Sequence, residues 1–118
     1  AAGLEDDEAS AELDVYLVTL GEAARGQALE RVERLRAEGL AVAWDTSGHG
    51  LGGQMKRAGR SGARFAVLVG DDELDRNRAT IKDLSSGEQL EGPLEPPALA
   101  GWVRSAQAGT EDPGESDG

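Results

Sequence analysis

Two hydrophobic periods alternate along this chain, and no other feature limits its fold as tightly. Runs of consecutive aliphatic and β-branched residues at 14–20, 40–44 and 65–69 read as strands buried on both faces. Between them lie stretches with helical spacing. In residues 23–38, Ala28, Leu29, Val32 and Leu35 fall on one predicted helix face, with Glu30, Arg34 and Glu38 on the wet side and Gly39 as a stop. In residues 51–60 the predicted inner stripe is Leu51, Met55 and Ala58, and Gly62 caps the end. Residues 70–74 read as a turn, 79–83 as a fourth strand, 85–87 as a tight turn and 88–91 as a short hairpin partner. Pro96 and Pro97 open a last helix that turns Leu99, Trp102 and Val103 inward. The order β-α-β-α-β-β-β-α predicts three parallel strands joined by right-handed crossovers, then an antiparallel hairpin at the edge.

Composition narrows the core and the partners. Apolar residues are 38% of the 118 but aromatics only 3%, so the core must be aliphatic. There is no cysteine, which excludes disulfides and thiolate metal sites and is compatible with a reducing, cytoplasmic setting. No apolar run reaches the length of a membrane span, and the acidic N-terminus is unlike a secretory signal. A chain starting at Ala1 without Met suggests a processed or excised piece. Residues 1–12 and 105–118 read as acidic flexible tails or linkers around one domain at 13–104.

The formal charge of −11 argues against a nucleic-acid partner, but its distribution does not. Residues 1–10 and 105–118 carry −8, and within residues 52–82 seven Lys or Arg outnumber four acids. Polyphosphate recognition depends on such local groups rather than on total charge. Lys56, Arg57, Arg60 and Arg64 cluster on and after the second helix, and Arg76, Arg78 and Lys82 follow the third strand. With so few aromatics to stack on, recognition of a single-stranded loop would lean on polar groups and Arg planes.

Other chemistries find less support. Residues 48–53, Gly-His-Gly-Leu-Gly-Gly, match G-x-G-x-x-G with acids at 71–73 about twenty residues on. Yet the motif follows the second strand, not the first, and Asp45, Thr46 and Ser47 separate it from that strand. His49 is the one histidine and no ligand cluster accompanies it, so an exposed loop residue is expected. There is no G-x-S-x-G nucleophile elbow. Asp71, Asp72 and Glu73 read as a solvated turn rather than paired catalytic carboxylates.

Residues 14–103 resemble the C-terminal anticodon-binding domain of class IIa aminoacyl-tRNA synthetases. The likeness rests on residues 14–18 (Asp-Val-Tyr-Leu-Val), 35–39 (Leu-Arg-Ala-Glu-Gly) and the helix–strand–turn of 58–73. It is sharpest at 79–89, where Lys-Asp-Leu followed by Gly-Glu-Gln is similar to the histidine-specific branch. The resemblance implies a three-layer α/β/α domain with a five-stranded mixed sheet. It implies tRNA anticodon binding by Glu73 in the Gly-x-x-Glu turn and by Lys82 nine residues later. Lys56 matches a basic position on the second helix, with Arg57 beside it, and Ser47 falls in the loop before that helix. A separate upstream catalytic domain, in a homodimeric parent, would use ATP and Mg; this domain itself would need no cofactor or metal and no catalytic residue. Residues 49–53 depart from the family, whose members carry longer polar side chains there. Two alternatives stay open: a synthetase-like regulatory or protein-interaction module that does not bind tRNA, and a nucleotide-binding domain using residues 48–53.

Overall fold

The computed structural model describes residues 13–46 and 49–111. The N-terminal segment read as a tail, Ser47, Gly48 and residues 112–118 lie outside them. In chain order the elements are β1 (Val15–Thr19), α1 (Glu22–Gly26), α2 (Ala28–Ala37), β2 (Val42–Trp44), α3 (Leu51–Ser61), β3 (Phe65–Val69), α4 (Asp71–Arg76), β4 (Arg78–Asp83), β5 (Gln89–Pro93) and α5 (Pro96–Glu111). The five strands form one sheet in the order β2-β1-β3-β4-β5. β1 pairs parallel with β2 and β3, whereas β3–β4 and β4–β5 are antiparallel. This is the mixed α/β sheet that the alternating pattern predicts.

Strand alternation sorts the side chains into two cores. Val15, Leu17, Phe65, Val67, Val69, Ala79 and Ile81 point to one face, where α1, α2 and α5 supply Ala24, Val32, Leu35, Leu99 and Val103. Tyr16, Val18 and Ala66 point to the other, under Ala58 of α3. The second core is the smaller, and α3 alone cannot roof five strands. It packs on β1, so the β4–β5 end of that face is left bare. That asymmetry makes the candidate site.

Four local readings are corrected by the structure. The predicted helix at 23–38 is two helices meeting at Gln27, whose N–H bonds to Ala24 O at 3.2 Å in place of an α-helical partner. Gly26 at the joint lacks the side chain that favours continuation. Leu29, about 100° round α2 from Ala28, is 54% exposed instead of inward. In α3 the fully covered positions are Gln54 and Ala58, while Leu51 is exposed and Met55 half-buried. Residues 70–74, read as a turn, belong instead to a helical turn and a half that spans 71–76 behind Gly70. Their three leading acids suit the positive end of the helix, and Asn77 ends it in the left-handed region at φ 56°.

The fourth correction concerns the C-terminal tail. α5 runs through Glu111, so residues 105–111 are helical. Ala106 packs against the larger core and Gln107 donates to Asp14 Oδ1 at 3.0 Å. A polar, small-residue composition concealed those two contacts.

The β4–β5 turn is held by one carboxylate. Asp83 accepts from Arg64 at two points, 3.2 Å each, and from the Ser85 N–H and hydroxyl at 2.9 and 2.6 Å. Arg64 holds the Asp83 carboxyl at about 2 against the upward push of burial, with Ser85 assisting. A depressed carboxyl stabilises the fold above its unfolded value and loses that contribution as pH falls towards the folded one. The domain should therefore lose about 2 kcal/mol from this group between roughly pH 4 and pH 2. Asp83→Asn should flatten that part of the acid limb in pH-dependent urea melts; an unchanged limb would contradict the assignment.

Candidate nucleic-acid interface

The bare end of the sheet is built by period two. On β4, Ala79 and Ile81 enter the core, so Arg78, Thr80 and Lys82 must face the α3 side. Register fixes their neighbours. Thr80 lies opposite Leu68 on β3 and Glu91 on β5, and Lys82 opposite Ala66 and Gln89. Leu51 and Met55, on the flank of α3 that overhangs β3, close the third wall. The result is a groove of about 220 Å³ lined by Leu51, Met55, Leu68, Thr80, Lys82 and Gln89.

Its floor is apolar and its rim polar, which suits a planar group with polar edges. Lys82 is half-buried and has no ion-pair partner among the described residues. Arg76, at the end of α4, is instead tied to Glu91 at 2.6 Å, bracing α4 against the hairpin.

Glu73 does not project as the family resemblance suggests. It is 7% exposed. One carboxylate oxygen accepts the Gly70 N–H at 2.9 Å and the other accepts the Thr80 hydroxyl at 2.6 Å. Gly70 has no side chain to complete a reciprocal capping box, so Glu73 supplies the only side-chain half. Burial pushes its carboxyl up, but the hydrogen bonds from Thr80, from its own N–H and from Gly70, with the charge of Arg76, outweigh that and hold it below the ordinary value. Thr80 thus joins Glu73 to the face that carries Lys82.

The remaining site expectations divide. Lys56 is exposed, about 100° round α3 from Met55, on the crest of the helix rather than in the groove. Arg57 is exposed on the opposite flank from Met55, where its charge reaches Tyr16 on β1. Ser47 lies outside the described residues. Glu73 and Lys82 are brought to one face, and Lys56 and Arg57 are not brought to the groove. The sequence reading missed Thr80 and Gln89. The signal for them was there, in the alternation of polar and buried residues along 78–83.

The loop before α3 is fastened from within. His49 Nδ1 lies 2.6 Å from Asp45 Oδ2, and Gln54 donates to His49 O and Thr19 O, each at 2.8 Å, while accepting the Thr19 N–H at 2.9 Å. A Cβ on Gly53 would stand 3.0 Å from His49 Cβ. This glycine makes room for the loop's own histidine, a use distinct from the close phosphate approach of a dinucleotide fingerprint. No group of three or more His, Asp or Glu able to hold a metal occurs among the described residues, and no described helix is long and apolar enough to cross a membrane.

A domain of this architecture recurs in aminoacyl-tRNA synthetases. It superimposes on apo Staphylococcus aureus histidyl-tRNA synthetase with a TM-score of 0.71 and 34% identity, covering 78% of this chain and 26% of that one. Against the Nostoc sp. PCC 7120 histidyl-tRNA synthetase the TM-score is 0.70 at 30% identity, covering 80% and 21%. The RNA binding domain of Cryptosporidium parvum threonyl-tRNA synthetase, at 15% identity and a TM-score of 0.68, shares the fold. The family model of the anticodon binding domain matches residues 14–98, and the chain belongs to that family.

Within it the similarity is to histidine–tRNA ligases. That of Halothermothrix orenii is 43% identical over 79 residues, 67% of this chain and 19% of the ligase. That of Cupriavidus taiwanensis is 51% identical over 83 residues, 67% and 18% respectively. The chain therefore spans about a fifth of the length of these relatives. The likeness to the histidine branch expected from residues 79–89 is found.

Proposed function

We infer that this domain binds the anticodon stem-loop of a tRNA on behalf of a histidine–tRNA ligase. Catalysis, with ATP and Mg, belongs to a separate catalytic domain of a cytoplasmic, homodimeric parent enzyme. The observation that carries this reading is the groove on the bare β4–β5 face, with Lys82 on its rim and Glu73 joined to it through Thr80. An unstacked loop base can lie on the apolar floor, while Lys82 meets a phosphate or a carbonyl edge. The basic residues of α3 border the same side and suit the flanking backbone.

Lys82→Ala tests it. The substitution removes a cation that holds no ion pair among the described residues, so the melting temperature should be nearly unchanged. Affinity for a histidine-tRNA anticodon hairpin should fall roughly fivefold or more at low salt. The slope of log K against log salt should shrink by about 0.7–0.9, the share of one phosphate contact. Unaltered affinity and slope would remove Lys82 from the interface. A wild-type chain with no affinity for the hairpin at low salt would favour the protein-interaction reading that the net charge of −11 suggests.

A further inference from the structure

The outer face of α3 carries more positive charge than the fold uses. Lys56 and Arg57 stand about 100° apart round the helix, and Arg60 falls between them one turn on. All three are exposed, and none has a carboxylate partner among the ion pairs of the described residues. α3 contains no acid, whereas α2 sets Glu30 and Glu33 among its arginines. Lys56 and Arg60, at i,i+4, repel each other and weaken the helix. Beside the end of this face opens a cleft of about 410 Å³ whose walls include Leu13, Asp14, Gly59, Gly62 and Gln107. A Cβ at Gly59 would meet nothing within 4 Å, so the surface between Leu13 and the cations is open. The carboxylate at that cleft, Asp14, is held by the Ala41 N–H at 2.9 Å and the Gln107 amide at 3.0 Å, not by α3.

We propose that Glu5, Asp6, Asp7 and Glu8 dock on this face of α3 and shield its cations from other polyanions. The four acids are consecutive and end five residues before Leu13, which borders the cleft. Five extended residues reach ~17 Å. Gly59, on the same cleft, is next to Arg60 and ~4.5 Å along the helix axis from Lys56. The run therefore reaches all three cations without displacing any element of the fold. Each exposed ion pair is weak, but the tether makes the pairs intramolecular, so they act together at a high effective concentration. The acidic stretch at the other end fits this face less well, because Pro113, Gly114 and Ser116 separate its carboxylates. The docking does not rest on the RNA-binding reading above; its consequence for RNA does. A strand must displace the acids to reach α3, so one held by phosphate contacts alone is turned away, while one that also engages the β4–β5 groove is kept.

The experiment uses the full chain and reads the backbone amide NMR signals of residues 56–60. Replacing the four acids together (Glu5→Gln, Asp6→Asn, Asp7→Asn and Glu8→Gln) should move those signals at about 0.01 M salt, where charges act over ~30 Å. At about 1 M, where they act over ~3 Å, the same change should leave the signals in place. Signals of α2 should stay still throughout. An oligouridine single strand should bind the neutralised variant about fivefold more tightly than wild type at about 0.1 M salt, the combined scale of three weak exposed pairs. Glu22→Gln, Glu30→Gln, Glu33→Gln and Glu38→Gln together make the same change in net charge elsewhere and should alter affinity less than about twofold. In a background of Lys56→Gln, Arg57→Gln and Arg60→Gln, which keeps α3 helical, neutralising the four acids should no longer change affinity. Amides of 56–60 that ignore the four acids would overturn the docking. Movement there caused only by neutralising Glu111, Asp112, Glu115 and Asp117 would overturn it too. Docking without a gain in oligouridine affinity would overturn the shielding. A chain that binds no RNA in any variant would remove both the shielding and the RNA-binding reading, with the docking still decided by the amide signals.

Discussion

Phe65→Ala is expected to lower stability by about 3–5 kcal/mol, the usual result of emptying a fully buried aromatic site. Phe65 opens β3, is 0% exposed and sits among the side chains that α5 presses onto the sheet. Trp102 meets it edge to face, 5.3 Å between ring centroids at 67°, and the Arg64 guanidinium lies over its ring at 5.0 Å. A domain of this size is stable by only about 5–15 kcal/mol, so the variant should unfold over much of its range of conditions. With m near 1–2 kcal/mol/M, the urea midpoint should drop by about 2 M or more. Phe65→Leu, which keeps most of the volume, should cost about 1 kcal/mol. A drop below about 0.5 M for the alanine variant would mean that α5 is not anchored here.

What the sequence showed plainly was whatever depends on burying apolar side chains at a regular period. Residues 65–69 are fully apolar and short, and the structure places β3 on those positions, at the centre of the sheet. Gly62 marked the end of α3 for a reason equally local: it sits at φ 87°, where a Cβ is strained. The failures have a common physical origin. Gln54 and Glu73 are polar residues that the fold buries by giving their polar atoms partners, and those partners lie at positions 19, 49, 70 and 80. Hydropathy assigns such residues to the surface, because partners distant in sequence do not register in a local window. Leu51 and Met55 failed in the opposite sense. They are apolar at helical spacing, but the part of the sheet beside them is uncovered, so they wall a groove instead of filling a core. The candidate residues Glu73 and Lys82 were legible as a family pattern, and their geometry was not. Nothing in the order of residues 70–82 says that threonine stands between the glutamate and the lysine as a hydrogen-bonded link.

Gln54 provides the second large effect, and it concerns the frame of the groove more than its lining. Its side chain spans three backbone groups: the Thr19 N–H and C=O at the end of β1 and the His49 C=O in the loop before α3. Thr19 is 7% exposed and Gln54 is 4% exposed, so water cannot replace these bonds without opening the structure. Gln54→Leu fits the space but leaves polar groups of Thr19 unpaired. At about 1–3 kcal/mol for each such group, a loss of about 3 kcal/mol is expected. Gln54→Glu makes the cause testable by pH. An ionised carboxylate has no hydrogen to give the carbonyls of Thr19 and His49 and is repelled by both, so its folded-state value must lie above the unfolded one of about 4.3. A raised carboxyl leaves the variant at its most stable below the unfolded value, and that stability is lost as pH rises through the folded value. Urea midpoints of Gln54→Glu and wild type should therefore lie close together near pH 4 and diverge towards pH 7, with Gln54→Leu displaced by a constant amount. Parallel curves for Gln54→Glu would show that the amide hydrogens are not what holds α3 to the end of β1, and the overhang of Leu51 and Met55 would need another cause.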